Sequence, residues 1–402
     1  MAEQPTSGNI RTAYFLAFVS EIFFPIAIWL FFYSKFLNFT QIALLSAIGG
    51  LVSIVLEVPS GAFADMFGRK TAIVISYIFF SISMFGVAVS QSFGAFVFFI
   101  FLAALSNALY SGSLEALVYD SLKDHNQEHL FEHVTSRLEA ITWIGLFIGS
   151  VAGGFLYQVN FRLPYVTQGI LTAIAAVAAL RLYEPRIDSE KYAWSQMVSQ
   201  NVTGLRELFQ NQNTTFTSLT FITIAAGYYV ASQILGISQA KEYGIAPSVV
   251  GILFGVGYLL SAVASHFFPK FKKILGGRNA LILSVVALLA SFILAKFVGV
   301  IVGAGLIILR IASSTTFRNS RSITFNKIFS SKNRATALST LNLLSNLPYV
   351  VLAYFIGGAI DKSSPNNFAF NLGICLVVIL GVIGVGRRWV KRGNQSRVQP
   401  RG

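Results

Sequence analysis

Four charged residues stand inside long apolar runs: Glu21, Glu57, Glu115 and Arg310. An ionised side chain at a bilayer centre costs ~2.5–3.5 kcal/mol on insertion scales, so such positions read as sites that handle a proton or a substrate. Glu21 and Arg310 each lie roughly ten residues into an apolar run, which is near the midplane of a spanning helix. Withdrawal from water disfavours an ionised carboxylate, which makes Glu21 a candidate proton carrier. A nearby Arg310 would favour the ionised form. The expectation is that proton and substrate compete at this site; a fixed ion pair is the alternative. Glu57 precedes Pro59 by two positions and is either a relay or an anchor for a helix kink. Glu115 lies five positions before Asp120 and is a candidate for substrate or proton contact. Asn107, Tyr110, Tyr228, Tyr229 and Gln233 are the candidate cavity-lining residues, with Phe dense around them. An apolar aromatic pocket with few polar anchors suits an amphipathic or lipophilic small molecule.

Positioning these residues is a task for helices in lipid. Of 402 residues, 54% are hydrophobic and only 11% are charged, against roughly 25% charged in soluble domains. The net charge of +14 comes from short basic segments between apolar runs, which is the pattern that sets membrane topology and not a nucleic-acid surface. The lone cysteine, Cys375, forms no internal disulfide and is expected as a small buried hydrophobe. His125, His129 and His133 fall at helical spacing, but no Cys or acid pair completes a metal pattern, so no metal or other cofactor is expected. The start, MAEQPTSGN, does not read as a cleaved signal peptide.

Twelve apolar segments are long enough to span: about 11–33, 40–63, 71–89, 94–119, 136–158, 163–183, 216–240, 247–269, 279–297, 300–322, 335–359 and 368–389. The expected fold class is an all-α membrane protein with twelve transmembrane helices in two six-helix bundles, related by pseudo-twofold symmetry. The organisation reads as a bundle at 1–183, a linker at 184–215, a second bundle at 216–389 and a basic tail at 390–402. Within the linker, Trp194, Met197, Val198, Leu205, Leu208 and Phe209 predict an amphipathic helix on the membrane face, weakened by Gly204. With both ends placed in the cytoplasm, outer loops hold only Lys35, Arg162, Lys241, Lys296 and Lys362, and Arg310 is intramembrane. The other 24 of the 30 basic residues then lie inside or at helix ends facing it.

One stretch after the second span, GAFADMFGRK at 61–70, resembles the cytoplasmic signature of the major facilitator superfamily, roughly G-x-L-A-D-x-x-G-R-K. Gly61, Ala64, Asp65, Gly68, Arg69 and Lys70 match, while Phe63 replaces Leu and Met66 replaces Arg. A worn copy, KFKKILGGRN at 270–279, aligns Gly277 and Arg278 with Gly68 and Arg69. On the fifth span, GLFIGSVAGG at 145–154 is similar to the family's antiporter motif G-x-x-x-G-P-x-x-G-G. Gly145, Gly149, Gly153 and Gly154 match, and Ser150 replaces Pro. Gly251 and Gly255 form a second small-residue stripe on the eighth span. The mid-span Arg common in drug exporters is absent, and Ala108 stands in its place before Gly112.

The resemblance implies that the first, fourth, seventh and tenth spans line a central cavity, and that the two glycine stripes face each other. It also implies a latch in which Asp65 meets the start of the eleventh span, with Arg69 joining it to Asp120. It implies a non-enzymatic secondary transporter working by alternating access, with a small-molecule substrate and a proton as coupling ion. Proton-coupled export of a small amphipathic compound is the favoured reading, and proton-coupled import of a small organic acid is the alternative. The chain is expected as a functional monomer in a plasma membrane of bacterial inner-membrane type, with both termini cytoplasmic and no nucleic-acid partner.

Overall fold

The computed structural model describes residues 8–185, 194–329 and 333–398, and every regular element among them is helical. Ten helical stretches are long and apolar enough to cross a membrane. Two shorter apolar helices of 17 residues, Leu163–Ala179 and Gly277–Ile293, take the places of the sixth and ninth spans. Ile301 is 88% exposed and Val159 78%. Outward-facing aliphatic side chains of this kind are what a helix in lipid presents. Cys375 is exposed on the twelfth span rather than buried, because it points away from the helix packing.

The chain forms two compact units. One holds Met1–Trp194 with Ile245–Leu259, the other Ser195–Gly244 with Leu260–Gly402. In the first unit the third span packs on the fourth and sixth, and the first packs on the fifth and sixth. In the second unit the ninth packs on the tenth and twelfth, and the seventh on the eleventh and twelfth. Each pairing recurs six spans later, as an internal repeat requires. Serine hydroxyls tie neighbouring helices: Ser106 Oγ donates to the Ser76 carbonyl at 2.7 Å, and Ser81 Oγ to that of Gly169 at 2.8 Å. In an apolar core such bonds, together with small residues, hold helices that gain little from burial alone.

Span boundaries follow local chemistry. Asn38 opens the second span with a reciprocal cap: its side chain accepts from Gln41 N–H, and its own N–H donates to Gln41 Oε1. Three spans depart from the continuous helices expected of them. The first is helical over Gly8–Glu21, extended at Phe23, a 3-10 turn over Phe24–Ala27 and helical again over Trp29–Tyr33. Pro25 has no N–H and its ring excludes a continuing helix. The freed Phe24 N–H donates to Gln168 Oε1 at 3.1 Å. The fourth span runs Phe93–Tyr110, turns at Ser111 and Gly112, and resumes over Ser113–Asp124. Gly112, at φ +74°, supplies the left-handed step. The seventh span carries a π turn at Ala231–Leu235 between Gln212–Val230 and Gly236–Glu242.

The linker contains a helix over Trp194–Leu208, though the side chains of Trp194, Met197 and Val198 lie outside the described residues. Leu208 is fully buried, while Leu205 and Phe209 are exposed. Gly204 lies directly against Thr340 of the eleventh span, Arg334–Lys362, so its missing side chain permits helix contact. Close by, Asn333 Nδ2 donates to Glu207 Oε1 at 2.7 Å. The three histidines do not share a helix face. His125 caps the helix ending at Asp124, His129 lies in a 3-10 turn and His133 opens the fifth span. No group able to hold a metal ion occurs among the described residues.

Candidate functional site

In the first unit two of the candidates, Glu21 and Tyr110, come together where the first span breaks. Glu21 is the last residue of its helix and is half-buried. Thr142 of the fifth span stands within hydrogen-bonding reach of its carboxylate, and Tyr77 and Tyr110 lie close enough to feel its charge. The rings of Tyr77 and Tyr110 meet edge to face at 5.5 Å. Tyr77 Oη donates to the Leu16 carbonyl at 2.8 Å, which ties the third span to the turn preceding Glu21.

The glycine stripe of the fifth span builds this break. A Cβ on Gly145 would lie 2.7 Å from Glu21 Cβ, and one on Gly149 2.7 Å from Phe23 N. A Cβ on Gly153 would overlap the Phe24 carbonyl oxygen. Three of the four motif glycines therefore meet the first span, not the eighth. This corrects the expectation that the two stripes simply face each other. The irregular backbone of 21–24 can only sit this close to a helix surface without side chains. Gly154 alone meets the other stripe: its Cβ would lie 3.2 Å from Gly251 Cα. Ser150, at the motif's proline position, donates to the Gly251 carbonyl at 2.8 Å. Gly255 faces Val151 and Phe147.

Glu57 and Glu115 are both exposed. Glu115 occupies the first turn after the Gly112 break. There the helix amino terminus favours a negative charge by ~0.3–1 kcal/mol. The Glu57 carbonyl accepts from Ser60 Oγ at 2.9 Å, and the helix passes through Pro59 without a break. Asn107 is exposed three positions before Tyr110 on the fourth span.

The signature stretch forms a charged corner. Arg69 pairs with Asp120, while Asp65 is exposed. Gly68, at φ +93°, ends the second span and precedes the third. Glu184, which follows the sixth span, accepts from Arg69 N–H at 2.8 Å and Lys70 N–H at 2.7 Å. A Cβ on Gly68 would lie 2.9 Å from that carboxylate. Glu184 was not singled out by its sequence position, which reads as the start of a linker. In the second half the residue with matching backbone is Gly276 (φ +79°), not Gly277. The worn copy is thus shifted by one position, so Gly277 and Arg278 answer to Arg69 and Lys70. Gly276 has open space where Gly68 has Glu184.

In the second unit, Tyr228 is buried and its Oη bonds the Ser284 carbonyl at 2.7 Å and Ser313 Oγ at 3.0 Å. Its ring stacks on Phe317 at 5.3 Å. Arg310 is 3% exposed. Its guanidinium lies 5.2 Å over the Phe292 ring, and Nη1 and Nη2 have no hydrogen-bond partner among the described residues. Tyr228 and Tyr243 are near enough to interact with its charge. Tyr229 meets Tyr349 edge to face at 5.7 Å, and Gln233 lies half-buried within the π turn. Phe292 and Ser313 beside Arg310 and Tyr228, like Tyr77 and Thr142 near Glu21 in the first unit, carry no short-range signal in the sequence.

An all-helical, lipid-facing chain with an internal six-span repeat and a helix broken at its half-buried Glu21 has the build of a membrane transporter. The chain belongs to the Major Facilitator Superfamily, whose model matches residues 12–309. It is 24% identical over 261 residues to "Uncharacterized MFS-type transporter YxaM" of Bacillus subtilis, covering 63% of each chain. It is 25% identical over 255 residues to "Multidrug resistance protein 1" of the same organism, covering 62% of this chain and 63% of the relative. To "Quinolone resistance protein NorA" of Staphylococcus aureus it is 23% identical over 245 residues, covering 60% and 61%. The matched region thus spans under two thirds of each relative. Among solved structures, the nucleoside transporter NupG superposes with TM-score 0.79 at 13% identity, covering 94% of this chain and 99% of that one. A bacterial homologue of the lysosomal transporter Spinster gives 0.67 at 16%, covering 97% and 98%. At these identities the likeness is one of fold.

Proposed function

We propose that the chain is a secondary transporter, not an enzyme, working by alternating access and exporting a small amphipathic compound in exchange for protons. The observation that carries this reading is the break in the first span at Glu21, a half-buried carboxylate beside Thr142, Tyr77 and Tyr110. A carrier must load and release its proton as surroundings change, and a residue at a helix break can shift with little cost to the helix. Broken helices at membrane depth are where transporters bind substrate and coupling ions. Tyr110, Tyr228, Tyr229 and Gln233 sit within two turns of the breaks and the π turn, and we assign them to the substrate cavity with Asn107. Three relatives include two whose names speak of drug or quinolone resistance, which favours export.

Asp65, with Gly61, Gly68, Arg69, Lys70 and Asp120, serves as a conformational latch. The protein works as a monomer in a bacterial inner membrane with both termini cytoplasmic. The test is transport in proteoliposomes. Substrate efflux should accelerate when a proton gradient is imposed in the exchanging direction, and indifference to the gradient would overturn proton coupling.

Arg310 favours a second reading. A buried guanidinium with two unpartnered nitrogens suits a carboxylate ligand, as in proton-coupled uptake of a small organic acid. Counterflow of labelled organic acids separates the two: saturable acid exchange lost in Arg310→Gln supports import, and none supports export.

A further inference from the structure

We propose that a groove between the first and sixth spans binds one anionic phospholipid, with its phosphate held by Arg11 and Arg181. The groove encloses about 540 Å³ and is lined by Arg11, Phe15, Ile174, Val177 and Arg181 among others. All belong to the first compact unit. Arg11 lies in the first turn of the helix Gly8–Glu21, and Arg181 lies just past the end of the helix Leu163–Ala179. These helices pack on each other, and Arg11 at the start of one and Arg181 past the end of the other line the same groove.

Beneath each arginine runs an apolar face of its own helix. Phe15 is one turn from Arg11, and Val177 and Ile174 are one and two turns from Arg181. Phe15 is 40% exposed, Ile174 52% and Val177 67%. Among the described residues neither arginine forms an ion pair; the arginine that does is Arg69, with Asp120. The lining thus offers two forked cations, neither in an ion pair among the described residues, above an apolar trough open to lipid.

That combination fits a phosphodiester on two acyl chains better than any soluble anion. Guanidinium forks match phosphate oxygens bidentately, and the apolar trough lets an acyl chain of the same lipid lie along the helices below the headgroup. Basic pockets between spanning helices on the cytoplasmic side favour anionic headgroups. The proposal does not depend on which substrate is carried. It predicts a lipid that stays with the protein and steadies the packing of the first span on the sixth.

The experiment is native mass spectrometry of the purified full chain delipidated in detergent and titrated with phosphatidylglycerol or phosphatidylcholine. Phosphatidylglycerol should leave one retained copy at concentrations where phosphatidylcholine leaves none. The double variant Arg11→Gln/Arg181→Gln should weaken retention roughly 20- to 30-fold, the loss of two basic contacts at the surface. Both side chains are exposed, and elution volume and melting temperature confirm that the variant folds. The double variant Arg387→Gln/Arg388→Gln removes the same charge elsewhere and should retain the lipid. Equal retention of the two lipids overturns the proposal, as does an equal loss in both double variants, which would mean diffuse attraction. Displacement of the lipid by millimolar glycerol phosphate also overturns it, in favour of a plain phosphate site.

Discussion

Adding one methyl group at Gly149 should loosen the join between the fifth span and the broken first span. The new Cβ would lie 2.7 Å from Phe23 N, 3.0 Å from its carbonyl oxygen and 3.1 Å from its carbonyl carbon. Ordinary contact begins at 3.4 Å, so the two backbones must part by roughly 0.7 Å along that line. All three obstructing atoms are main chain, so no side-chain rotamer relieves them. Overpacking of this kind costs ~1–3 kcal/mol. For a unit of this size that corresponds to a fall in melting midpoint of roughly 2–12 °C. The assay is thermal unfolding of the purified protein in detergent, followed by light scattering. Gly305→Ala in the tenth span is the control, because a Cβ there meets nothing within 4 Å. It should be neutral or stabilising, since Gly in a helix costs ~0.5–1 kcal/mol relative to Ala. A Gly149→Ala midpoint within a degree of the wild type would refute the argument that this glycine exists to admit the bent chain.

Three further expectations follow from the same reasoning. Glu184→Ala removes a charged cap from the third span and should destabilise by ~1–2 kcal/mol, seen as a lower melting midpoint; Gly276→Ala faces no acid and should show only the cost of its positive φ. Gly204→Val should dislodge the helix Trp194–Leu208 from the eleventh span, read as faster proteolytic cleavage of the linker with the spans still intact. Asp65→Asn should slow turnover at least several-fold with substrate affinity nearly unchanged, and a large loss of affinity alone would count against the latch.

The spans were legible because lipid demands long apolar helices, and composition alone exposes those. The breaks were less so. Pro25 marks the interruption after Glu21, and Ser111-Gly112-Ser113 marks the one before Glu115, yet each lies within a run still apolar enough overall to read as one continuous span. What makes the first break tolerable is Gln168, whose side chain satisfies the Phe24 N–H from 144 positions away. No local pattern reports such a partner. The glycine motif was visible, but its neighbour was not: spacing shows that a face is smooth, not which backbone fills it. Gly276 and Gly277 illustrate a finer limit, since only the backbone angle tells which of two adjacent glycines makes the turn. Arg310 was visible as a buried charge, whereas its unpartnered state emerged only from the packing around it.

The central claim is that Glu21, at the broken first span, carries the coupling proton. Proteoliposomes holding Glu21→Gln decide it when gradient-driven transport and equilibrium exchange of labelled substrate are measured side by side. The account predicts that the variant loses gradient-driven accumulation while still exchanging substrate, since the cavity persists and only the titrating group is gone. Gradient-driven transport at the wild-type rate in Glu21→Gln would contradict it.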